Sequence, residues 1–167
     1  MDADLLLKAL ISAAPVLVML VVFDRLDVFN LITARVIALL LVCGGALAAL
    51  SFIANWRVMD GFPIGFSSYT RYVAPVIEES LKAAPILALF VMNRIGFKLD
   101  AAIAGFAVGA GFSVVENMWY LTTEVADANI SAWLVRGFGT AIMHGGATAL
   151  FAVISHEMTE RQAEAAA

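Results

Sequence analysis

Tyr72-Val73-Ala74-Pro75-Val76-Ile77-Glu78-Glu79-Ser80-Leu81-Lys82-Ala83-Ala84-Pro85-Ile86-Leu87-Ala88-Leu89-Phe90-Val91-Met92 is apolar apart from Ser80, two adjacent glutamates and a lysine. The stretch is as long as the ~20 residues a helix needs to cross a bilayer. A charged side chain at bilayer depth costs about 2.5–3.5 kcal/mol on insertion scales. Three charges within five residues therefore need partners or a task. The rest of the chain reads as their enclosure.

The totals agree with a membrane environment. The chain is 62% hydrophobic and 14% charged, with a mean hydropathy of +0.92. Soluble domains are about 45–50% apolar and about 25% charged. The net charge of −4 and the lack of a basic patch leave no case for nucleic acid. The single cysteine, Cys43, excludes an internal disulfide framework and reads as packing filler beside Gly44 and Gly45.

The expected fold class is all-α: a polytopic membrane protein, a bundle of about five transmembrane helices forming one integral membrane domain over 1–167. The spans are 5–23, 34–54, 72–92, 101–121 and 130–154, and a polar tail covers 155–167. The first apolar run, with Lys8 near its start, continues to Phe23 and reads as a retained span rather than a cleaved signal. Gly44, Gly45, Ala48 and Ala49 give span two a small-residue face for close helix contact. Loop two, 55–71, holds Trp56 and Tyr69, which with Tyr72 at the start of span three suit the headgroup level, and the breakers Gly61, Pro63 and Gly65. In span five, Gly145 and Gly146 offer room for another backbone to approach His144. Loop four, 122–129, is acidic, with Glu124 and Asp127. Arg25, Arg35, Arg94, Lys98 and Arg161 fall on one side, and Lys8, Arg57 and Arg71 on the other. The larger set marks the cytoplasmic side, which puts the C-terminus in the cytoplasm of a cell with the protein in its inner membrane.

Within the spans the ionisable groups near the core are Glu78, Glu79, Lys82, Glu116, Arg136 and His144, all on spans three to five. Lys82 is four residues after Glu78 and three after Glu79, so it can reach either carboxylate on one helix face. Counting residues from the span ends puts the glutamates of span three and Glu116 of span four near the same bilayer face. Arg136 and His144 bracket that depth on span five, with Thr140 between them on one face. One cavity can hold them all.

Several chemistries fit this set. Glu79, Glu116 and His144 can ligate zinc, although no HExxH is present. Without a metal, one glutamate takes a proton from water while Lys82 or Arg136 restrains the second carboxylate. His144, with Asn117 or a backbone amide, then stabilises the oxyanion. A proton or cation pathway is a third reading, weakened by the lack of an internal repeat. The plain alternatives are an intrahelical ion pair for Glu78 and Lys82, a packing role for His144 and a snorkelling Arg136.

Glu78-Glu79-Ser80-Leu81-Lys82 resembles the EExxK motif of the PrsW-type intramembrane proteases. Gly111-Phe112-Ser113-Val114-Val115-Glu116-Asn117-Met118-Trp119-Tyr120 is similar to their GFxxxENxxY segment, and Arg136 and His144 stand like the Arg and His of the next span. The match covers about Tyr72 to Ile154. The wider superfamily, of CAAX prenyl endopeptidases and bacteriocin-processing or self-immunity proteins, carries EExxxR, FxxxH and HxxxN/D. Here Lys82 comes one position early, Glu116 replaces the second-motif His, and Thr148 stands four after His144. The resemblance implies an intramembrane endopeptidase acting on single-pass, membrane-anchored proteins of the anti-sigma-factor kind. On that expectation Glu78, Glu79, Glu116 and His144 are catalytic, and Lys82, Asn117 and Arg136 support them. The rival readings are a metal-dependent form of the protease and a non-catalytic binding or self-immunity protein.

Overall fold

The computed structural model describes residues 3–26, 32–123 and 129–166. Every regular element among them is helical. Five long helices follow one another: α1 (Ala3–Leu26), α2 (Ala34–Gly61), α3 (Ala74–Val91), α4 (Lys98–Thr123) and α5 (Ile130–Ala165). This is the all-α membrane architecture expected from the sequence. α2, α4 and α5 are each long and apolar enough to cross a membrane, and α1 contributes a shorter apolar stretch, Leu6–Met19. α3 carries Glu78, Glu79 and Lys82 within its 18 residues. The acids of loop four, Glu124 and Asp127, lie outside the described residues.

The helices overrun the expected spans at their polar ends. Asn55 to Asp60 contains no breaker, so α2 continues to Gly61, and the chain turns only at 62–65. Phe62, forced extended by the following Pro63, caps it with φ −129° and ψ 138°. The helix resumes as one turn, Phe66–Ser68, and a π turn, Tyr69–Val73, before α3 begins. Pro75 stands at the start of α3, where its missing N–H matters least. α5 also changes pitch, through a second π turn at Ala141–Gly145. Its last turns run on as helix to Ala165, and Lys98 at the start of α4 pairs with Glu157 and Glu160 on them. The 93–97 connection and the C-terminal tail therefore share one end of the bundle.

α4 is the central rod. Ala101 and every residue from Ile103 to Ser113 are buried, as expected of a helix that is apolar or small all round. Its glycines set how closely the neighbours approach. A Cβ at Gly111 would overlap the Leu41 carbonyl of α2, and one at Gly109 would overlap the His144 carbonyl of α5. Gly44 of α2 likewise meets the Val108 backbone. Between helices in lipid, such close packing replaces the hydrophobic driving force available in water. The approach to His144 thus depends on Gly109, whereas Gly146 faces open space and Gly145 faces the Phe106 ring. α3 is held differently. It buries only Lys82 and Ile86, so its charged centre forms a large part of its attachment.

Candidate active site

Lys82 is completely buried, at 0% exposure. An ammonium so placed must donate its protons to something. Its Nζ lies 2.6 Å from Glu79 Oε1 and 2.8 Å from His144 Nδ1, and 4.6 Å from the centre of the Phe112 ring. α3 and α5 are thereby joined through one cation. Lysine has no acceptor to offer, so the Lys82 ammonium makes His144 Nδ1 the acceptor and places the imidazole proton on Nε2. That nitrogen lies 2.8 Å from Glu116 Oε2 of α4 and donates to it. Glu116 Oε1 faces Arg136 of α5 at 3.5 Å, and the guanidinium carbon sits 3.8 Å above the Tyr120 ring. Glu79, Lys82, His144, Glu116 and Arg136 form one chain of polar contacts across three helices, with the neutral imidazole between the Lys82 cation and Glu116.

The π turn explains how His144 enters this chain. One extra residue per turn widens the helix and rotates the following side chains, and such turns are frequent at functional sites. Here His144 lies within the turn and is nearly fully buried. Thr148 caps the loosened backbone by donating to the His144 carbonyl at 2.8 Å. Phe112, one helical turn before Glu116, packs against the imidazole with ring centres 5.0 Å apart.

Glu78 points elsewhere. Among the described residues it has no ion-pair partner; the Asn55 side-chain amide of α2 donates to its Oε1 at 3.3 Å. It nevertheless lies within electrostatic reach of Glu116, His144, Lys82 and Glu79. Asn117 uses its amide on Thr140 Oγ1 at 2.8 Å, and Thr140 in turn donates to the Arg136 carbonyl. Among the described residues, the Asn117 side-chain oxygen is buried without a partner. Beside Glu79, a cleft of about 420 Å³ between α3 and α5 is lined by Ser80, Ala83, Ala147, Thr148 and Phe151. Glu79 is open to it: 46% of its side chain is exposed despite the ion pair.

Two participants escaped sequence reasoning. Asn55 falls at the end of span two with no motif around it. Tyr69 reads as a headgroup anchor, yet it is 2% exposed, and its hydroxyl donates to Asn55 Oδ1 at 2.8 Å. The π turn at Tyr69–Val73 turns it inward. Tyr72 and Trp56 of the same region do stand exposed.

Residues 31–166 match the family described as PrsW family intramembrane metalloprotease. The chain belongs to the PrsW family. It is therefore an intramembrane protease and a membrane protein. No curated protein and no solved structure matches it.

The family's description implies a metal, and the donors can be tested against one. Glu79 Oε1 and His144 Nδ1 converge on a single point, but Lys82 Nζ fills it. The other imidazole nitrogen is bonded to Glu116. Among the described residues, no three His, Cys, Asp or Glu side chains converge as an ion would require. The set as arranged does not fit a resident metal ion. A zinc held by Glu79, Glu116 and His144 would need the Lys82 ammonium to leave.

Proposed function

We propose that this PrsW-family protein hydrolyses a peptide bond of a single-pass, membrane-anchored substrate with a water activated by Glu78. One observation carries the choice of base. Lys82 neutralises Glu79 and Arg136 faces Glu116, whereas among the described residues Glu78 bonds only to the neutral Asn55 amide. A carboxylate tied to a cation is a poorer proton acceptor, so the uncompensated one is the better base. Glu78 takes a proton from water as the water oxygen bonds to the substrate carbonyl carbon. The resulting oxyanion is met by the Arg136 guanidinium, whose 3.5 Å contact with Glu116 leaves donors to spare, and by His144 Nε2–H, which turns from Glu116 Oε2 to reach it. Glu78 then returns the proton to the leaving nitrogen as the C–N bond breaks. Glu79 and Lys82 hold His144 in the tautomer this requires, and Asn117 fixes α4 against α5 through Thr140.

The substrate class, anti-sigma-factor-like, follows from the family resemblance, as does membership of the wider CAAX superfamily. The Lys and Arg count favours an orientation with the tail inside, and in that orientation the site opens toward the outer side of a cytoplasmic membrane. The metal-dependent form has the family's description in its favour. Purified protein reconstituted with a single-pass substrate separates the two. Cleavage that persists through a chelator series, at metal contents far below one ion per chain, supports the glutamate mechanism. Loss on stripping with recovery on adding zinc overturns it, and absence of any cleavage favours a binding or self-immunity protein.

A further inference from the structure

We infer that Asn55 and Tyr69, which lie outside every motif of the site, position Glu78 and select which of its oxygens takes the proton. The inference rests on Glu78 being the base. Three segments meet here: the end of α2, the π turn before α3, and α3 itself. Tyr69 donates its hydroxyl to Asn55 Oδ1 at 2.8 Å and lies 3.0 Å from the Asn55 backbone carbonyl. Asn55 Nδ2 donates to Glu78 Oε1 at 3.3 Å.

The chemistry leaves one orientation for the amide. A carboxylate only accepts, so the NH₂ group of Asn55 must face Glu78. Its carbonyl must then face Tyr69, which is able to donate. The Tyr69 hydroxyl is buried, so it has a strong reason to keep that partner. This orientation pairs both ends of the amide at once, and the three groups favour it together. Glu78 Oε1 is held as an acceptor whether or not the carboxyl carries a proton, and Oε2 is the atom left to take a proton from water. The two π turns then do parallel work. One brings His144 to Glu116 and Lys82, and the other brings Tyr69 to Asn55 and through it to Glu78.

The test is the kcat and KM of reconstituted protein on a single-pass peptide substrate, with melting in detergent measured alongside. Asn55→Leu keeps the volume and removes the donor. It lowers kcat on the order of 10- to 100-fold, the worth of a hydrogen bond to a charged group, with KM changed by less than about two-fold. Asn55→Asp, which sets a second acceptor against Glu78, falls further, and Asn55→Gln recovers part of the loss. Tyr69→Phe lowers kcat by a smaller factor and adds nothing to Asn55→Leu in the double variant. A purely structural role predicts instead that Leu and Asp variants fall together, in step with their melting points. Wild-type kcat in Asn55→Leu, with Glu78→Gln inactive, overturns the positioning role and leaves the base assignment standing. Activity in Glu78→Gln overturns the base assignment and this inference with it. Where Asn55→Leu does not fold, Tyr69→Phe decides: a reduced kcat supports the role and an unchanged one overturns it.

Discussion

Replacing Gly109 by alanine adds one methyl at the closest approach of α4 to α5. The new Cβ would overlap the His144 carbonyl and lie 2.8 Å from Gly145 Cα. Carbon atoms in contact sit about 3.5–4.0 Å apart, so α5 must withdraw by about 1 Å at its π turn. Both imidazole contacts, now 2.8 Å, would lengthen toward the limit of hydrogen bonding. Overpacking of this kind costs about 1–3 kcal/mol in stability. A misplacement of ~1 Å at a catalytic group costs roughly 100-fold in rate. Gly146→Ala is the matched control. It lies one residue beyond the same π turn and would meet nothing within 4 Å. The assay is cleavage of a fluorescent single-pass substrate in proteoliposomes, with melting recorded for each variant. Gly109→Ala is expected to fold at a lower melting point and to lose about two orders of magnitude in rate, while Gly146→Ala behaves as wild type. Full activity in folded Gly109→Ala, or equal damage in Gly146→Ala, would refute the claim that this contact sets the position of His144.

Further outcomes follow from the same network. Lys82→Met leaves Glu79 and His144 Nδ1 facing no donor; stability should fall by about 1–3 kcal/mol, chiefly for the buried imidazole nitrogen because Glu79 is half-exposed, and adding Glu79→Gln should restore part of it in detergent melts. Thr140→Val removes the acceptor of the Asn117 amide, which should lower stability by about 1–3 kcal/mol with a smaller effect on cleavage than Glu116→Gln. Beyond the apolar stretches, hydrogen bonds from Lys98 and then Arg161 hold the Glu157 carboxyl down to about 2, below its ordinary 4.5. Its folded value lies below its unfolded one, so its stabilising share is complete above the ordinary value and is lost as pH falls toward about 2. Lys98→Ala should flatten the melting point against pH in that window only, and by a small amount, because these groups are exposed to solvent.

The fold was legible because lipid imposes a strong constraint: long apolar runs must be helices, and charges inside them must find partners. Glu78, Glu79 and Lys82 stood out for that reason, and matching their depth to Glu116 and His144 needed only residue counts from the span ends. Helix spacing could not say which glutamate Lys82 takes. Both lie within reach at three and four residues, and the choice depends on what the neighbouring helices present. Asn55 on α2 faces Glu78, leaving Glu79 to the lysine. Asn55 and Tyr69 were hidden for a related reason. A polar residue at a span end usually meets water or headgroups, and only the π turn at Tyr69–Val73 turns the tyrosine inward. Nothing in the local residue pattern marks either π turn. The approach to His144 was sought at Gly145 and Gly146 on its own helix; Gly145 does lie against α4, Gly146 faces open space, and the contact also needs Gly109 on the facing helix. Sequence shows which helix carries small residues, and packing decides which of them is used.

The central claim is that Glu78, the carboxylate without a cation, activates the water. Its most direct test is single-turnover cleavage of a reconstituted single-pass substrate by Glu78→Gln and Glu79→Gln, each confirmed as folded. A general base contributes about 10²–10⁴-fold, so Glu78→Gln should lose at least that much, while Glu79→Gln retains measurable turnover with a loosened His144. Wild-type cleavage by Glu78→Gln, or an inactive Glu79→Gln beside an active Glu78→Gln, would contradict the account.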